Sequence, residues 1–98
     1  MKLDNFRPLA TYAVSASADS PVTIPIPHDP GADVRVHSPV QNSTAFIRFT
    51  DGSAQASLSD MPFAPGTEVF SLSSADLFVS VLLQYGTGTV YFTIGGGN

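Results

Sequence analysis

"LFVSVLLQYGTGTVYFTI", residues 77–94, is the stretch whose reading decides the fold. Its second run alternates, with Val90, Phe92 and Ile94 set against Tyr91 and Thr93, the period of a half-buried strand. The glycine-bearing "YGTGT" before it reads as a hairpin turn. The first run also admits a short helix, because Ser73 or Ser74 suits an N-cap and Leu77/Val81 and Phe78/Leu82 fall four residues apart. Its Val and Phe content favours a strand over 77–84. Such a strand is apolar on both sides, Leu77, Val79, Val81 and Leu83 on one and Phe78 and Leu82 on the other. An antiparallel strand usually keeps one face in water. The expected consequence is a subunit contact through Leu77, Val79, Val81 and Leu83.

Working outward, the same alternation marks strands at 9–15, 21–26, 33–37, 45–50, 54–58, 68–72 and 89–94, with Pro and Gly punctuating the intervals. With the strand over 77–84 that makes eight, and the chain is expected to be all-β, an eight-stranded β-sandwich of jelly-roll type. Residues 1–19 read as an N-terminal arm and first strand, 20–94 as the sandwich core and 95–98 as a flexible Gly-rich tail of one domain. Pro30–Gly31 and Pro65–Gly66 have the residues of type II turns, proline presetting φ and glycine accepting a positive φ. Around them "PHDPGADVRVHS" (27–38) aligns with "PFAPGTEVFSLS" (62–73) at an offset of 35 residues. A true repeat would predict two Greek-key halves about a pseudo-twofold. The repeat is the expectation, with one mismatch in it: Val34 and Val36 take one parity and Phe70 and Leu72 the other.

Composition limits the function classes. Among 98 residues the net charge is −4 and only four are basic, Lys2, Arg7, Arg35 and Arg48, with no cluster among them. Grouped Lys and Arg are what neutralise phosphates, so nucleic-acid binding is not expected. Charged residues make up 12%, about half the usual share, which suits a surface covered by a partner. There is no cysteine for a disulfide or thiolate site. Asp4, Asn5, Arg7 and Pro8 interrupt any signal-peptide core, and the longest apolar run, 77–83, is too short to span a bilayer, so no membrane role is expected.

No constellation specifies a chemistry, and neither an enzyme nor a cofactor is expected. His28, Asp29 and Asp33 surround one turn, but a metal site wants three or four convergent ligands, and His37 lies on the following strand. "TDGS" (50–53) lacks the repeated acids of a calcium loop. The serines include no Gly-x-Ser-x-Gly elbow, and the acids Asp29, Asp33, Asp51, Asp60, Glu68 and Asp76 mostly lie in turns. "NST" at 42–44 fits a glycosylation sequon, which without a secretory signal carries little weight. Phe6, Tyr12, Tyr85 and Tyr91 are the aromatics able to stack on a sugar if exposed.

One further pattern spans the last forty residues: Asp60, Pro62, Pro65, Gly66, Phe70 and Leu72, then Gly86, Thr87, Gly88, Thr89, Tyr91, Thr93 and Gly95. It resembles a group of small virion proteins of tailed bacteriophages and prophages, minor structural or head-decoration components, with "AFIRF" (45–49) a looser match. The resemblance implies a virion protein without catalysis that oligomerises, a trimer being favoured, and attaches to a capsid or tail protein. On that reading Phe6 and Arg7 belong to a docking arm. The alternative is a carbohydrate-binding, host-attachment jelly roll, which predicts exposed tyrosines grouped with Asp or Asn. The run at 77–83 is more apolar than the group's pattern, and the partner it implies stays open.

Overall fold

The computed structural model of the chain describes residues 7–39 and 43–96, and these form eight strands and no helix. They are β1 (Arg7–Ser17), β2 (Val22–Pro25), β3 (Asp33–Ser38), β4 (Ala45–Thr50), β5 (Met61–Phe63), β6 (Gly66–Ser71), β7 (Phe78–Leu83) and β8 (Thr87–Gly96). Pairing is antiparallel and nested: β1 with β8, β2 with β7, β3 with β6, β4 with β5. Pairs β3–β8 and β4–β7 complete two four-stranded sheets, ordered β1-β8-β3-β6 and β2-β7-β4-β5.

The alternation in the sequence becomes the two sides of each sheet. Val14, Val34, Val36, Val90, Phe92 and Ile94 of the first sheet and Ala45, Ile47, Phe63, Val79, Val81 and Leu83 of the second belong to one buried cluster. Arg35 and His37 stay exposed between their buried neighbours. Each large side chain so buried stabilises by roughly 1.5–3 kcal/mol.

The segment 77–84 is a strand, and the helical alternative falls away. The subunit contact expected through it is corrected for three of its four residues, because Val79, Val81 and Leu83 are filled in against the opposite sheet of the same chain. Its second face is also covered from within. Ser80 is fully buried, and its Oγ accepts hydrogen bonds from the Ala56 N–H and the Thr23 hydroxyl, both at 2.9 Å. Gly52 lies so close over the Phe78 ring that a Cβ there would come within 2.9 Å of it. The β4–β5 loop therefore covers part of the face for which a second subunit was expected.

That loop contains the strand expected at 54–58, and here too the expectation is corrected. Its donors turn to side chains and to a local turn: Ala56 N–H to Ser80, Ser57 N–H to Asp60 Oδ2 at 2.8 Å, and Asp60 N–H to the Ser57 carbonyl at 3.0 Å. Alternating Ala54, Ala56 and Leu58 mimics a strand that no neighbour pairs. The fifth strand is instead the short Met61–Phe63, an edge that tolerates Pro62.

At the chain ends, β1 starts at Arg7 opposite Gly96, and Gly95 is buried between Pro8 and Asp33. Gly95 and Gly96 are thus strand rather than tail, and the boundary drawn at residue 19 cuts off a strand whose Val14 and Ala16 belong to the core. Asp29 to Ala32 forms the expected turn, with Gly31 at φ +82° and the Ala32 N–H donating to the Asp29 carbonyl at 3.1 Å. Gly66 differs: its φ is +150° and it opens β6, so Pro65–Gly66 is not a type II turn. The aligned segments are not a structural repeat either, because the offset sets fully buried Val34 against Val69, which is 43% exposed.

Candidate interaction surfaces

Of the expected contact residues only Leu77, 45% exposed, is open to a partner. Of the two residues given to a docking arm, Phe6 lies outside the described residues and Arg7 is the first residue of β1.

A cleft of about 620 Å³ lies between Leu9 and Ala10 of β1, the β2–β3 loop from Pro27 to Ala32, and Ile94 and Gly95 of β8. Leu9 is there because of a β-bulge. Pro8 pairs with Gly95 and Ala10 with Ile94, so Leu9 has no partner on β8, and it is 71% exposed. The cleft wall is fixed by His28, whose ring nitrogens lie 2.8 Å from the Ile26 carbonyl and 3.0 Å from the Ser73 carbonyl, joining the β2–β3 loop to the β6–β7 loop. The Leu72 N–H donates to the Ala32 carbonyl at 3.0 Å in the same junction. Sequence reading assigned Pro30 and Gly31 to the turn and missed the cleft. A proline beside the strand start was the one local sign of an irregular edge.

This end of the sandwich is acidic. The register sets Pro25 and Thr50 on either side of Phe78, so the β2–β3, β4–β5 and β6–β7 loops emerge together. They carry Asp29, Asp51, Asp60 and Asp76, with Asp33 opening β3; among the described acids only Asp19 and Glu68 lie elsewhere. Asp60 is neutralised by Arg48, Oδ1 to Nη2 at 2.7 Å and to Nε at 3.0 Å. That hydrogen bond, with help from the Ser57 N–H and the guanidinium charge, holds the Asp60 carboxyl below the usual range against the opposing effect of desolvation. Asp51 is also lowered, by hydrogen bonds from the Ser53 side chain and N–H.

On the outer face of the other sheet, His37 stands beside Tyr91, ring centroids 6.2 Å apart, and its Nδ1 is 2.7 Å from the Thr67 hydroxyl. Register places Ala13, Tyr91, His37 and Thr67 in one row and Thr11, Thr93, Arg35 and Val69 in the next. Tyr12 packs against the core, and Tyr85, 64% exposed, stands at the β7–β8 turn at the opposite end, its backbone bonded to the Ser43 hydroxyl. The two histidines thus serve different elements, and no group of three His, Cys, Asp or Glu able to hold a metal occurs among the described residues. Nor is any helix there long and apolar enough to cross a membrane.

What fold and surfaces define is a two-sheet antiparallel β protein with an acidic, leucine-bearing end. Compared with protein-family models, curated proteins and solved structures, the chain matches none.

Proposed function

We propose that the chain is a jelly roll and a non-enzymatic structural protein of a phage particle, which associates with its own copies, a trimer being favoured, and decorates or stabilises a capsid or tail. The observation that carries the fold reading is the nested pairing 1–8, 2–7, 3–6, 4–5, split into sheets 1-8-3-6 and 2-7-4-5. Such an order is what two Greek keys rolled together produce, and viral capsid proteins and lectins use it. The structural role draws on the pattern of residues 60–95 and on apolar side chains left in water, Leu9 and Leu77 at one end, Leu58 on the β4–β5 loop and Val69 on an edge strand. Particles assembled from the genome that encodes the chain are expected to carry it in many copies, and the free protein to sediment at a multiple of 10.3 kDa. A monomer at millimolar concentration that is missing from purified particles overturns the proposal.

One observation favours a second reading, a carbohydrate-binding module: the half-open Tyr91 beside His37 on a sheet face rich in threonine. Sugars stack on such rings, and neighbouring hydroxyls orient them. Binding on a glycan array that is lost in Tyr91→Ala supports it; silence on the array removes it.

A further inference from the structure

We propose that the cleft beside Leu9 is a docking site for an extended protein segment offering an apolar side chain flanked by arginine or lysine. The proposal rests on the particle-protein reading only for where that segment is met, namely on the lattice partner.

Four observations converge. Leu9 is the extra residue of a bulge, a device that re-aims a side chain, and here it sets a leucine in water at the lip of a concavity. Leu77, 45% exposed, stands at the same end, its carbonyl accepting from the Ile26 N–H at the start of the β2–β3 loop, and Leu58, 66% exposed, lies on the neighbouring β4–β5 loop. The cleft floor is built from Pro27, Pro30, Ala32 and Ile94, small or apolar groups able to take an aliphatic side chain. Asp29 lines it, Asp33 follows Ala32 directly and pairs with the lining Gly95, and Asp76 accepts a hydrogen bond at 2.9 Å from the N–H of Ser73, the residue whose carbonyl lies 3.0 Å from His28 Nε2.

Charge decides the occupant. At this end a second copy offers the same aspartates and, among the described residues, only Arg7, the first residue of β1, against them; Arg35 and Arg48 stand on strand faces, the latter bound to Asp60. Like charges juxtaposed across an interface disfavour association, and opposite ones steer and orient it. A basic segment with apolar anchors meets both the aspartates and the leucines, as hot spots surrounded by polar rims do. Because His28 packs between the Ile26 and Ser73 carbonyls and the Leu72 N–H is bonded to the Ala32 carbonyl, the cleft wall is held by contacts within this chain, and little ordering of it opposes binding.

The test is an NMR titration of the full chain with a synthetic nonapeptide alternating Arg and Leu, beside its counterpart with Glu for Arg. Shifts are expected at Leu9, Ala10, Asp29, Gly31, Ile94 and Gly95 with the basic peptide only, weakening severalfold between about 50 and 500 mM salt as screening lengths shorten. Leu9→Ser, at a solvent-facing position, should leave the fold intact and weaken binding about tenfold, the value of part of a buried leucine. Asp29→Asn should weaken it about threefold. Equal binding of the Glu peptide, shifts confined to other surfaces, or indifference to Leu9→Ser overturns the proposal. Sedimentation of the wild-type chain with particles separates the two readings. A chain that binds the peptide but no particle retains the docking site and loses the particle role; one that binds particles equally well as Leu9→Ser retains the role and loses the site.

Discussion

Gly52 and Gly31 both hold positive φ, +104° and +82°, for different reasons. A Cβ at Gly31 meets open space, while one at Gly52 would lie 2.9 Å from the Phe78 ring. Gly31→Ala should therefore lose about 1–2 kcal/mol, the left-handed penalty alone. Gly52→Ala should lose more, since the loop must lift from the sheet or the ring must move. Urea midpoints of the two variants, at equal slope, check the order. Asp60 makes a second prediction at this scale. Its carboxyl is lowered in the fold by the Arg48 hydrogen bond, below the roughly 3.9 of an unfolded chain, so the stabilisation is present above about pH 4 and lost as pH falls through the folded value. Asp60→Asn should be less stable than the wild type at pH 6, and the gap should close toward pH 2.5 in urea titrations at each pH.

For the elements, β7 carries the main lesson. Two apolar faces suggested two partners, a core and a neighbouring subunit, but the second partner is the chain's own β4–β5 loop, anchored on Ser80. Leu83→Ala should accordingly destabilise the isolated protein by about 2–5 kcal/mol, independent of protein concentration, as a cavity inside one chain does. Leu77→Ser, at an exposed loop position, should shift stability by less than about 0.5 kcal/mol. Thermal unfolding at two concentrations a hundredfold apart distinguishes a core defect from a lost subunit contact. The misread strand at 54–58 follows from the same cause: alternation reports which side chains can be buried, and a loop laid across a sheet meets that requirement without pairing.

Across the whole molecule the first and last described strands pair along ten residues of register, so folding must join distant parts of the chain. Loop closure of that length precedes its reward, and refolding is expected in milliseconds to seconds, as in other non-local β folds. A stopped-flow refolding phase faster than about 100 μs would contradict the nested topology. β8 lies between β1 and β3 and contributes Val90, Phe92 and Ile94 to the core.

Period-two patterning was readable from the residues alone because a strand's side chains alternate whatever surrounds it. It located seven of the eight strands, the Pro30–Gly31 turn and the alternating sets Val34/Val36 and Val90/Phe92/Ile94, which the structure buries, but it gave Val79, Val81 and Leu83 to a neighbouring subunit where the structure puts them in the core. Which surfaces remained open was decided by contacts between residues far apart: Ala56 on Ser80 closed a face, Gly95 beside Pro8 and Asp33 turned a supposed tail into strand, and an unpaired Leu9 opened a cleft. Burial and register are properties of neighbours in space, and a linear pattern carries the preference of each residue but not the identity of what comes to lie against it.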